Sequence, residues 1–229
     1  MSLNLRHPLF LALFASAALC GAALAAETPK PATPPPVEAA RAGAAQPLTD
    51  ADRALVKTAT DYLQGLKMVE GKFSQTAPAG AKSSGVFYMQ RPGKARFQYD
   101  APAELLVVSD GSNVSVWDGR LKSFDQYPLW STPLVLLLAK QVRLDKGVIV
   151  TAVEHTKDAF AITAKDARKK AEGRIVLRFV EGPTALTGWS VIDGQGRRTD
   201  VALGPLAPKA SLEASLFVLR DPRPHSGRP

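Results

Sequence analysis

The sequence predicts a mainly β protein with a few helices (α+β), built on an antiparallel sheet that curls strongly. Three observations lead there. Roughly ten short apolar segments follow one another without helical patterning between them, so successive strands pair as neighbours. The dipeptides Asp110-Gly111, Asp118-Gly119 and Asp193-Gly194 punctuate them, and Asp and Gly both tolerate the positive φ of tight turns. A composition of 45% hydrophobic and 22% charged residues suits a globular chain able to bury a core. A sheet of that many strands does not stay flat.

The elements follow in chain order. Arg6 and His7 precede an uncharged apolar run from Pro8 through Leu24, closed by the cleavage pattern Ala23-Leu24-Ala25. Residues 1–25 read as a secretory signal peptide cut near Ala25, so export is expected. The alternative is a membrane anchor, since Pro8 to Ala26 is long enough to span; the small residues of its second half favour cleavage. Leu19 precedes Cys20 where lipoprotein processing requires a small residue, which argues against lipidation. Residues 26–47 carry Pro29, Pro31, Pro34, Pro35, Pro36 and Pro47 among Ala, Thr and Glu, the composition of an extended tether.

Residues 48–220 read as the folded body. Thr49, with Asp52 three positions on, makes a capping-box pattern. Ala51, Ala54, Leu55, Ala59, Tyr62, Leu63 and Leu66 then recur at helical spacing, and Gly65 and Gly71 mark the end of that helix. Strands are expected at Val86–Met89, Ala95–Tyr99, Leu105–Val108, Val114–Val116, Val148–Val150, Phe160–Ile162, Ile175–Phe179, Trp189–Val191, Val201–Leu203 and Leu216–Val218. Ala95, Phe97 and Tyr99 share one face of their strand and Lys94, Arg96, Gln98 and Asp100 the other. Leu105–Val108 is apolar on both faces and needs cover on each side. Between the strand groups, Thr132 and Pro133 start a short helix, with Thr132 as its cap. Its run Leu134–Ala139 is apolar all round and must be covered on every side. It is either a plain core helix or a lid over an apolar cavity. Asp221–Pro229 reads as a loose tail.

Little chemistry is written into the chain. One cysteine and three histidines argue against a disulfide scaffold and against Cys-rich or multi-His metal centres. His155 stands with Glu154 alone and His225 lies in the tail, so no catalytic triad is evident. Gly71-Lys72 lacks the glycine spacing and hydroxyl of a phosphate loop. No catalytic residue, metal or cofactor is expected, and the protein does not read as an enzyme. The net charge of +8 suits nucleic acid, an anionic membrane or an acidic partner; export removes nucleic acid from the expected partners.

The segment Gly85-Val86-Phe87-Tyr88-Met89-Gln90-Arg91-Pro92-Gly93-Lys94-Ala95-Arg96-Phe97-Gln98-Tyr99 resembles the signature strand pair of the periplasmic outer-membrane lipoprotein carrier family (LolA-like). The resemblance continues through Ala101-Pro102 and Val107-Val108-Ser109-Asp110-Gly111, then at Thr132–Leu137 and Leu212–Phe217, with Phe73 and Gln75 also fitting. It implies a half-open β-barrel covered by a helical lid, a soluble periplasmic monomer that holds the acyl chains of lipoproteins in its cavity. Such carriers take cargo from an inner-membrane ATP-driven release complex and deliver it to an outer-membrane receptor. The family's arginine of the Arg-Pro pair latches the lid helices; here it is Arg91. A guanidinium has five donors and no acceptor, which suits it to orphan carbonyls at helix ends. Leu134, Leu136 and Leu137 are expected to make lid contacts, and Met89, Phe97, Tyr99 and Trp117 to line the cavity, ordinary core packing being the alternative for some. Alternation shows which residues share a face, not which face is concave. Ala95 and Ser115 replace larger residues common in the family and read as a thinner cavity wall. A carrier or sensor of another amphiphile on the same scaffold is the competing reading.

Overall fold

The computed structural model describes residues 47–144, 147–167 and 173–223. The expected signal peptide, residues 26–46 of the tether and residues 224–229 of the tail lie outside them. Helix α1 spans Asp50–Gly65 and starts with the expected capping box. The Thr49 hydroxyl accepts the Asp52 N–H at 3.1 Å, and the Asp52 carboxylate accepts the Thr49 N–H at 2.9 Å. Val56, Ala59 and Leu63 form its buried stripe. Gly71 does not end this helix but lies within the next element, a strand.

The strands are β1 (Met68–Thr76), β2 (Lys82–Gln90), β3 (Lys94–Tyr99), β4 (Leu105–Asp110), β5 (Asn113–Asp118) and β6 (Ser123–Pro128). After a 3-10 turn at Leu129–Ser131 and helix α2 (Leu134–Leu138) come β7 (Val148–His155), β8 (Ala159–Asp166), β9 (Arg174–Val180), β10 (Ala185–Ile192), β11 (Arg198–Leu203) and β12 (Ala207–Pro208). All join one antiparallel sheet in the order β6-β5-β4-β3-β2-β1-β11-β10-β9-β8-β7, with β12 beside β1. The path ends at β6 and β7 without closing, and the chain crosses from one to the other through the 3-10 turn and α2. The sheet is therefore a half-open barrel.

The Asp-Gly turns share one construction. Asp110 Oδ1 accepts the N–H groups of Ser112 and Asn113, Asp118 Oδ1 those of Arg120 and Leu121, and Asp193 Oδ1 those of Gln195 and Arg197. Two sequence expectations are corrected. Thr132 does not cap α2 with its side chain; its hydroxyl is buried and donates to Leu129 O at 2.9 Å, finishing the preceding 3-10 turn. Leu216–Val218 is not a strand, since Ala214–Phe217 forms a second 3-10 turn laid across the outer face of β3 and β4. There Arg96 Nη1 donates to Leu216 O at 3.1 Å, and Phe217 is buried. This strap explains why β4 is apolar on both faces: Val107 faces the interior and Val108 lies outward beneath the strap, both fully covered.

Candidate functional site

Register decides which face of the sheet is the inside. Phe97 pairs with Phe87 on one side and Val107 on the other, and Val107 pairs in turn with Val116. These positions, with Val69, Phe73, Met89, Ala95, Tyr99 and Trp189, form one buried apolar wall. Phe97 sits at its centre. Its ring lies 5.4 Å from Phe73, 4.8 Å from Phe87 and 6.1 Å from Trp189, mostly in the tilted or edge-on geometries that aromatic quadrupoles prefer. Of the four cavity candidates, Met89, Phe97 and Tyr99 share the buried interior. Trp117 does not join them: with Val116 inward, Trp117 falls on the outer face opposite Leu106 and Phe124. Ser115 is outward too, where Gln126 Nε2 donates to its hydroxyl at 3.1 Å, so it does not thin the inner wall. A strand's period of two makes every such assignment all-or-none.

Two helical pieces roof this wall. α1 presents Leu63 and, edge-on to Phe179 at 6.2 Å, Tyr62. In α2, Leu137 is buried, while Leu134 and Leu136 are half-buried and pack against the core. Leu138, Val142 and Leu144 are as deeply buried as Leu137, although the sequence did not single them out.

The roof is tied down by polar contacts at one turn. Between β2 and β3, the Gly93 N–H donates to Leu138 O, the last carbonyl of α2, at 2.8 Å. Arg91 Nη1 donates to Leu63 O in the last turn of α1. Arg91 thus reaches one helix carbonyl rather than several, and its Nε and Nη2 are buried without a protein acceptor among the described residues. Burial pushes its guanidinium down to about 10. Gln64, a residue the sequence reading passed over, joins the two roof pieces. Its Oε1 accepts the Val142 N–H at 2.8 Å and its Nε2 donates to Lys140 O at 3.4 Å.

The geometry also explains why the Arg-Pro-Gly-Lys and Ser-Asp-Gly pieces occur together. Gly93 has φ +78°, and a Cβ there would stand 2.6 Å from the Cα of Gly111. The two turns pack backbone on backbone, joined by a Ser109 hydroxyl donating to Gly93 O at 2.6 Å. At the opposite end of β2 a cavity of about 850 Å³ opens, reaching inward to Tyr99, Gln75 and Leu105 and outward to Leu121. The Tyr99 phenol donates to Gln75 Oε1 at 2.8 Å, and burial pushes that phenol well up. Glu154 and His155 end strand β7, both exposed. Among the described residues no group of three or more His, Cys, Asp or Glu could hold a metal ion.

Comparison with known proteins bears on what such a roofed trough belongs to. Outer-membrane lipoprotein carrier proteins are similar to this chain in Pseudomonas syringae pv. syringae (strain B728a), at 29% identity over 76% of this chain and 87% of the relative. Those of Azotobacter vinelandii (28% identity, 75% and 86%) and Legionella pneumophila strain Paris (29%, 70% and 83%) are also similar. A solved structure of a LolA-superfamily protein from Nitrosomonas europaea covers 73% of this chain and 97% of its own, with a TM-score of 0.43 and 10% identity. Residues 64–220, from the last turn of α1 through the outer strap, match the family model of the outer membrane lipoprotein carrier protein LolA. With the half-open sheet, α2 and the paired turns all inside that span, the chain belongs to the outer-membrane lipoprotein carrier family.

Proposed function

We propose that this protein is a soluble periplasmic carrier that shields the acyl chains of lipoproteins between its curved sheet and its helical roof. It takes them from an ATP-driven release complex at the inner membrane to a receptor at the outer membrane, and it works as a monomer after losing residues 1–25. The observation that carries this reading is the construction of the interior. An apolar wall, centred on Phe97, is closed by helices tied down at a few polar contacts rather than by continuation of the sheet. The physical need is large. Each buried CH₂ is worth about 0.8 kcal/mol, so a sixteen-carbon chain left in water costs on the order of 13 kcal/mol. Arg91 serves as the latch, and Leu134, Leu136 and Leu137 as the roof contacts that cargo displaces; Met89, Phe97 and Tyr99 line the space it enters.

The test is incubation of the purified protein with inner-membrane vesicles or spheroplasts, recovery, and mass spectrometry of what it holds. Native lipoproteins are expected on the recovered protein. Free lipids alone would point to a carrier or sensor of another amphiphile, and an empty protein would end the proposal. Arg91→Leu should fold yet fail to complete transfer, which counts of lipoprotein delivered to outer-membrane vesicles would measure.

A further inference from the structure

Arg91 is polar on a side that nothing among the described residues answers. Its Nη1 holds Leu63 O, while Nε and Nη2, both withdrawn from solvent, meet no acceptor, and no acidic side chain pairs with the guanidinium among the described residues. Those two nitrogens form the edge of the guanidinium whose N–H bonds run parallel, the fork that matches a carboxyl-type group. Arg91 follows Phe87 and Met89 in the inward alternation of β2 and lies under the last turn of α1, so this edge belongs to the roofed interior.

We propose that the Nε–Nη2 edge of Arg91 is the recognition site for the acyl head of the cargo, the oxygens of a carboxylate or acyl ester at the top of a fatty chain. The proposal rests on the carrier reading above and adds to it a polar contact that fixes where the head of the chain sits. In the closed protein both nitrogens are covered, so a ligand reaches them only as the roof lifts. Lifting breaks the bond to Leu63 O and frees Nη1 for water, while the incoming oxygens take up Nε and Nη2. An ammonium is a point charge and cannot copy this fork, so lysine is not an equivalent.

The experiment measures dissociation constants for laurate, methyl laurate and 1-chlorododecane with the full-length protein and its Arg91→Leu and Arg91→Lys variants. The three probes have the same twelve-carbon chain length, and the roof's opening equilibrium scales all three alike and cancels in their ratios. Laurate, or laurate and methyl laurate both, should bind the wild type on the order of ten- to hundredfold tighter than chlorododecane. Both variants should bring that ratio toward one. Preference for laurate alone assigns a fatty-acid anion; preference for both assigns the ester oxygens of a lipid anchor. A ratio unchanged in Arg91→Leu overturns the proposal, as does a wild-type ratio near one, which leaves that edge to water. Failure of all three probes to bind removes the carrier reading and this proposal with it. Should the variants not fold, the Arg91 Nε–H resonance of the wild type decides: it must shift with laurate and stay in place with chlorododecane.

Discussion

Replacing Arg91 with leucine should make the empty, closed protein more stable. Each buried donor without an acceptor costs about 1–3 kcal/mol, so the two on Arg91 cost about 2–6 kcal/mol together. Against that stands one charge-assisted bond to Leu63 O, worth about 1.5–3 kcal/mol. Removing the donor does not orphan that carbonyl, because the Leu66 N–H also reaches Leu63 O, at 3.2 Å. Taken at their midpoints, about 4 against about 2 kcal/mol, the balance favours leucine by about 2 kcal/mol. The depressed guanidinium gives a similar size. Its fall to about 10 would be worth about 3 kcal/mol for a fully buried group, and partial solvent screening brings this to about 2 kcal/mol.

Urea unfolding of both proteins at neutral pH checks this: the midpoint should rise in Arg91→Leu with an unchanged slope. The sign against pH follows from linkage. The folded form binds the proton less tightly than the unfolded chain, so the penalty is full below pH 10 and is relieved as pH climbs above it. The gap between variant and wild type should therefore close in alkali. A midpoint that falls at equal slope would refute the reasoning, because it would mean that the two bare nitrogens cost less than the one bond returns.

Other perturbations test the remaining contacts. Gln64→Leu removes the acceptor of the Val142 N–H and should cost about 1–2 kcal/mol while speeding uptake of an environment-sensitive dye, read by stopped-flow fluorescence. Phe97→Ala deletes the centre of the inner wall and should cost about 3–5 kcal/mol in denaturant unfolding. Gly93→Ala combines positive φ with a Cβ only 2.6 Å from Gly111 and should lose about 1–3 kcal/mol, seen as a lowered thermal midpoint.

Most strands were readable because inward residues alternate with polar ones, as in Ala95-Arg96-Phe97-Gln98-Tyr99. β1 escaped because two of its inward positions, Gly71 and Gln75, are not apolar; Leu206 occupies the space over Gly71, and Tyr99 bonds Gln75. β6 escaped because it is a polar edge strand, Ser123–Pro128. Leu216–Val218 has the residues of a strand but no partner strand among the described residues, and burial of Phe217 against the sheet decides its shape instead. In the site, alternation put Ala95, Phe97 and Tyr99 on one face, yet Met89 and Trp117 could be assigned only by cross-strand register, which sequence does not carry. Gln64 was invisible for a different reason: its partners lie more than seventy residues away and are backbone groups, which leave no trace in residue type.

Under the proposed function the interior has to be filled when empty and still yield. A sixteen-carbon chain seeks about 13 kcal/mol of shelter, enough to bind almost irreversibly if the cavity stood open and dry. Instead the protein's own side chains hold the space. Lifting the roof exposes Leu137 fully and Leu134 and Leu136 in part, each fully buried leucine being worth about 1.5–3 kcal/mol. That loss is subtracted from cargo affinity, which brings it into a range where a receptor can compete. Among the polar ties Gln64 holds the roof pieces together, whereas Arg91 is a latch built to release. Arg91 holds one carbonyl and leaves two donors bare, so opening costs one bond but returns a buried charge to water or to a ligand. An apolar residue at that position would close the roof more firmly and make the cavity greasier, improving the resting state and impairing exchange. The arginine is thus understandable as a contact that keeps closed and open forms close in free energy, which a shuttle requires and a storage protein does not.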